Sequence, residues 1–200
     1  MRASNIVVLR ESLAPLEPIL RSWIVCIEHY IDVWEGNDLP YWYNERGNVS
    51  VLAGAAWRAG WLALEEYQMG KHGAEHGELT GGRNDLCLAN SQHEFYIEAK
   101  VAYLNIAELD RSAFRLAEVT AAAVRDAKRL SCDAQRVAAV FVAPYAAEGQ
   151  LEDVQIERFV AMLNARRDDL LTCMRPALES LPLSHENRIY PLAALISIET

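Results

Sequence analysis

Residues 83–101 read RNDLCLANSQHEFYIEAKV, and the organisation of the chain follows from how this stretch folds. In its second half Phe95, Ile97, Ala99 and Val101 are apolar while Glu94, Tyr96, Glu98 and Lys100 are not. A period of two is that of a pleated strand with one buried face, so Glu98 and Lys100 project from the same side. Asp85 heads a short preceding strand over 85–89. Two carboxylates and an ammonium so placed can converge on one divalent cation and one water. Hard oxygen donors suit Mg²⁺ or Mn²⁺, which polarise a phosphoryl oxygen and lower the pKa of bound water, while a lysine orients that water or steadies developing charge.

The flanking elements are expected as follows. Residues 5–10 form a short strand or a lead-in. Ser12 caps a helix over 12–35, whose apolar residues, Leu13, Leu16, Ile19, Leu20, Trp23, Ile24, Ile27, Ile31 and Trp34 among them, recur at three and four. That side docks on the core or on a second subunit or protein partner. A helix over 44–59 buries Val49, Leu52, Ala53, Ala56 and Trp57 and ends at Gly60. Residues 61–67 alternate as a strand, which places Glu65 or Glu66 as an alternative to Glu45 in any site. Residues 111–130 are alanine-rich and helical, with Phe114 and Leu116 among the anchors, and 137–143 (VAAVFVA) read as a strand buried on both faces. A helix over 150–173 and a closing strand pair over 188–198, bent at Pro191, complete an extension expected only to pack.

Asp85 followed by Glu98-Ala99-Lys100 resembles the signature of the PD-(D/E)xK nuclease superfamily, with Asn84 where the family has proline. Glu45-Arg46 at a helix start resembles that of Holliday-junction-resolvase-like members. The resemblance implies an α/β restriction-endonuclease-like αβββαβ core with a mixed central sheet over 44–145, in one domain with an extra N-terminal helix and a C-terminal helix-strand extension over 150–200. It implies catalytic Glu45, Asp85, Glu98 and Lys100, a Mg²⁺ or Mn²⁺ ion on Asp85 and Glu98, and a nucleic-acid substrate, DNA rather than RNA. For Glu45 the plain alternative is a carboxylate favoured by the positive end of its helix.

Gly70 to Gly82 hold five glycines in all and read as a loop that carries Lys71, His72, His76 and Arg83 over the cleft toward substrate. His72 to His76 also spell H-x-x-E-H, the string of inverted zinc metallopeptidases, but the neighbouring glycines oppose the helix this chemistry needs. Arg115, on the helix over 111–130, is a further phosphate-binding candidate, or simply pairs with Glu118.

A net charge of −9 opposes a protein that coats itself in nucleic acid, because phosphate binding draws on Lys and Arg. Residues 43–136 carry 11 basic and 13 acidic side chains, net −2, so the acidity lies mostly outside the catalytic stretch. No basic patch, helix-turn-helix or aromatic stacking platform is legible. The four cysteines form no C-x-x-C pair and read as buried, reduced thiols. With neither an export signal nor a membrane span, the cytoplasm is the expected location. A non-catalytic protein-binding module on a similar sheet is the alternative, favoured by the acidic balance and the apolar first helix.

Overall fold

The computed structural model describes residues 3–72, 79–178, 181–184 and 186–200. They form an α/β structure in which four helices cover a mixed, open sheet of eight strands. In chain order these are β1 (Ala3–Val8), α1 (Glu17–Val33), α2 (Glu45–Arg58), β2 (Leu62–His72), β3 (Leu79–Ala89), β4 (Glu94–Asn105), α3 (Leu109–Lys128), β5 (Gln135–Ala147), α4 (Asp153–Ala165), β6 (Leu170–Arg175), β7 (Arg188–Ile189) and β8 (Ala193–Glu199). The sheet runs β1-β6-β8-β5-β4-β3-β2, with β7 beside β5. Only β4 and β5, joined through α3, run parallel; their neighbours are antiparallel. The succession helix, strand, strand, strand, helix, strand expected over 44–145 is present.

The strands at the centre are buried on both faces. Val137, Ala139 and Phe141 of β5 join the layer under α1 and α2 with Trp23, Ile27, Leu52 and Phe95. Ala138, Val140 and Val142 join the layer under α3 and α4 with Leu116, Ala123 and Phe159. This two-sided burial is why 137–143 lack the alternation of a half-wet strand. α1 buries Ile19, Leu20, Trp23, Ile24, Ile27 and Ile31, so its apolar side is committed to the core, while Trp34 beyond it is exposed.

Several boundaries differ from the sequence expectation for identifiable reasons. Pro15 lies inside a 3₁₀ turn, Glu11–Leu16, so α1 starts only at Glu17; Ser12 is no cap and instead donates its Oγ–H to Glu199 at 2.6 Å. Trp57 and Phe114, expected as buried anchors, are exposed. The helix expected over 150–173 stops at Ala165; Arg167 takes a left-handed φ of 55°, and Leu170 and Leu171 belong to β6. The glycine-rich stretch is strand rather than loop where it is described, because β2 runs to His72 and β3 begins at Leu79. The four cysteines are free and half-buried rather than buried. Among the described residues no helix is long and apolar enough to cross a membrane.

Candidate functional site

Asn44 caps α2 by accepting the Gly47 N–H at 3.1 Å, and this fixes Glu45 in the first turn, where the sequence expectation put it. Gly60, at a φ of 80°, then turns the chain from α2 into β2. β3 pairs with β2 along nearly its whole length but with β4 only from Leu86 to Ala89, opposite Ile97 to Glu94. At the point where β3 leaves β4, Asp85 takes over from the ladder: its Oδ2 accepts the Ala99 N–H at 2.8 Å. Across from Asp85, Glu66 drops out of the β2 pairing with a left-handed φ of 47°, an uncommon conformation for a residue with a Cβ. Glu66 holds Arg46 Nε at 2.6 Å and Arg83 Nη1 at 2.7 Å. The parted strands and the start of α2 enclose a hole of about 20 Å³ walled by Glu45, Glu65, Glu66, Asp85, Arg46 and Val49, large enough for one water-sized occupant.

Lys100 and Glu98 approach from β4. Lys100 Nζ lies 3.1 Å from Asp126 Oδ2 on α3 and donates to the Ala99 carbonyl at 3.0 Å. Burial alone lowers the Lys100 pKa, but Glu45, Asp126 and Asp85 outweigh it and hold the ammonium above its ordinary value. Burial raises the Glu45 carboxyl; Lys100 draws it down, and Asp85, Asp126 and Glu66 push it up. Glu98 is 3% exposed, and its Oε1 lies 2.6 Å from Lys71 Nζ. Burial lifts its pKa to about 7, Asp85 adds to the rise, and Lys71 and Lys100 pull against it. Glu45 and Glu98 therefore each feel the charges of Asp85 and Lys100, and Asp85, bonded to the Ala99 N–H, is not stranded across the sheet from the E-x-K pair.

No family model matches the chain, and no curated protein and no solved structure matches it either.

Glu45, Asp85 and Glu98 offer carboxylate oxygens, the donors a hard divalent cation takes. Asp85 and Glu98, with Glu45, are the carboxylates that could hold one. Among the described residues, however, no three His, Cys, Asp or Glu side chains are drawn together as a preformed metal centre. One reason is visible: Lys71 places an ammonium against Glu98, where a cation would be held.

The substrate-binding candidates fare unevenly. Lys71 is at the site, though on a strand and against Glu98. Arg83 lies nearby, paired with Glu66. Arg115 is not brought to the corner: it pairs with Glu118 at 3.3 Å, and eleven residues of α3, about 16 Å of helix, separate it from Asp126. The backbone of His72 lies in β2, while its side chain and the rest of the H-x-x-E-H string fall outside the described residues. Two contributors were missed. Asp126 is an unremarkable helix carboxylate in sequence and becomes the partner of Lys100 only because the last turns of α3 pack over β4. Asn84, where the family resemblance expects proline, is fully buried with neither end of its amide hydrogen-bonded. A buried amide without partners is costly, and this one adjoins Asp85.

Proposed function

We propose that this protein is a metal-dependent nuclease of the PD-(D/E)xK type on a restriction-endonuclease-like core, hydrolysing phosphodiester bonds. The observation that carries the reading is the convergence of Asp85, Glu98 and Lys100 with Glu45 where β3 parts from β4, beside a hole that fits one water. The order of elements from α2 to β5 supports the same reading. DNA is favoured over RNA on the resemblance.

A bound Mg²⁺ or Mn²⁺ supplies Lewis acidity toward a phosphoryl oxygen and a more acidic water. Asp85 and Glu98 would hold the ion, Asp85 from a fixed position, because one of its oxygens is tied to the Ala99 N–H. Lys100 stays charged between Glu45 and Asp126, and it offers protons to a water or to the developing negative charge on phosphate. Glu45, raised by burial and its carboxylate neighbours, is suited to accept a proton from an attacking water.

The direct test incubates the protein with plasmid and oligonucleotide substrates in Mg²⁺ or Mn²⁺. Wild type is expected to cleave, and Asp85→Ala and Lys100→Ala each to lose at least about 100-fold in rate. Cleavage that persists in both variants assigns the activity to something other than this site. The second reading, a non-catalytic protein-binding module, draws on Lys71 already neutralising Glu98 and on the net charge of −9. Inactivity on every nucleic acid, together with capture of a specific protein by wild type, favours it.

A further inference from the structure

Two cavities share one wall, Tyr103, and neither is lined by Glu45, Asp85, Glu98 or Lys100; the smaller begins two residues from Glu45, at Tyr43, and the larger lies at the far end of α3 from Asp126. The smaller, about 280 Å³, is bounded by Trp42, Tyr43, Tyr103 and Tyr190, with Glu186 and Arg188 completing its lining. The larger, about 510 Å³, runs from Tyr103 and Tyr145 to Phe114 and Arg111 on α3. Aromatic rings dominate the smaller cavity, while the larger sets three rings among Glu108, Glu118, Arg111 and Arg115; two of the rings are open to solvent, Phe114 at 67% and Tyr43 at 42%. Trp42 stands edge-on to both Tyr43 and Tyr190, and the Arg188 guanidinium lies 4.2 Å from the centroid of Tyr145, paired at its other side with Glu186.

This region is coupled to the corner through the backbone. Tyr103 follows Lys100 by three residues on β4, about 10 Å, and its hydroxyl donates to the Tyr43 carbonyl at 2.5 Å, two residues before Glu45. Burial raises the Tyr103 phenol, and Tyr190, Glu186 and Glu45 add to the rise, so Tyr103 senses both the cavity and the site.

We propose that the aromatic cleft around Tyr103 binds unpaired bases a few nucleotides from the scissile phosphate, making the substrate a single strand or an unpaired tail rather than a continuous duplex. The inference rests on the nuclease reading and specifies its substrate class. In a duplex the faces of the bases are stacked on one another; only unpaired bases offer a face to Tyr43, Tyr103 or Phe114. Charge points the same way. A protein of net charge −9 gains little from counterion release on phosphates, so its affinity comes from stacking, which favours single strands and depends weakly on salt. Glu186 and Arg188 at the rim present an acceptor and donors to base edges.

The test measures fluorescence anisotropy of a labelled single-stranded oligonucleotide, a blunt duplex of the same sequence and that duplex with an unpaired tail, in Ca²⁺ to hold back cleavage. Wild type is expected to bind the single strand and the tailed duplex at least about tenfold more tightly than the blunt duplex, with a shallow dependence on salt. Tyr43→Ala and Phe114→Ala, both at exposed positions and checked by thermal melting, are each expected to lose about tenfold on the unpaired substrates and to leave the blunt duplex unchanged, while Tyr43→Phe retains binding. Equal binding of blunt and unpaired substrates, or indifference to both alanine variants, overturns the proposal. Cleavage in Mg²⁺ separates the two readings. If blunt duplex is cut as fast as tailed duplex by wild type and by Tyr43→Ala, the nuclease stands and the stacking cleft falls. If unpaired substrates bind through Tyr43 but none is cut, the cleft stands and the nuclease falls.

Discussion

At Glu98 a carboxyl with an ordinary pKa of 4.5 sits 3% exposed, and burial moves it to about 7 despite Lys71. The raised value means that folding favours the protonated form. Below about pH 4.5 both folded and unfolded chains carry the proton and Glu98 has no effect on stability. Between about pH 4.5 and 7 the unfolded chain ionises Glu98 while the folded chain keeps the proton, so stability falls by up to about 3 kcal/mol, and the loss is complete above about 7. Glu98→Gln stays neutral, so it is expected to melt close to wild type at about pH 4.5 and several degrees above it at about pH 8. A melting difference that does not change with pH contradicts the burial argument. Mg²⁺, if it binds here, takes the place of the proton: it is expected to raise the wild-type melting temperature at about pH 8, to do so much less at about pH 5, and to leave Glu98→Gln unmoved. Glu98 and Lys100 were legible as a pair because alternation puts them on one strand face, whereas Asp85, expected at the head of a short strand over 85–89, lies inside β3, at the point where its pairing with β4 stops. Asp126 was not legible, because its role depends on where α3 lands. The rings of the Tyr103 cleft were not legible either: Trp42, Tyr103, Tyr145 and Tyr190 come from separate segments and meet only in the folded sheet.

At the scale of elements, the arm formed by β2 and β3 beyond Asp85 brings Lys71 back to Glu98. Its glycines were read as loop residues, since glycine weakens strands and supplies turns. Gly82 has a different use: a Cβ there would stand 2.7 Å from both Cγ and Cδ of Lys71, so the missing side chain is the space through which the lysine passes. Gly82→Ala is therefore expected to displace Lys71 from Glu98. Because Lys71 holds the Glu98 pKa down, the carboxyl should then titrate above its wild-type value, a shift visible in the ¹³C resonance of a labelled glutamate side chain. An unchanged titration would mean that Lys71 reaches Glu98 without needing that space. The same confusion of spacing with structure lengthened α4: Leu163, Leu170 and Leu171 recur at helical intervals, and only the left-handed turn at Arg167 separates the helix from β6.

For the whole molecule, the C-terminal segment does more than the packing expected of it. β8 lies inside the sheet, antiparallel to β5 from Val137 to Val142 and to β6 from Leu170 to Met174. Its side chains enter both core layers, Ala193 and Leu195 under α1 and α2, Ala194 and Ile196 under α3 and α4. β1, by contrast, is an outer strand that pairs with β6 alone. No local pattern distinguishes the two, because an interior position for the last strand follows from the order of pairing across the whole chain, with β5 and β6 spaced apart by α4. Deleting residues 192–200 opens two strand edges and unpacks both layers at once, whereas deleting residues 1–8 removes one edge strand. The first truncation is expected to abolish the cooperative thermal transition in far-ultraviolet circular dichroism; the second is expected to lower its midpoint while keeping it sigmoidal. A sigmoidal melt in the protein lacking residues 192–200 would show that β1 to β6 hold the sheet without β8, and the β4-β5 parallel pair that presents Glu98 and Lys100 would then owe its rigidity to α3 alone.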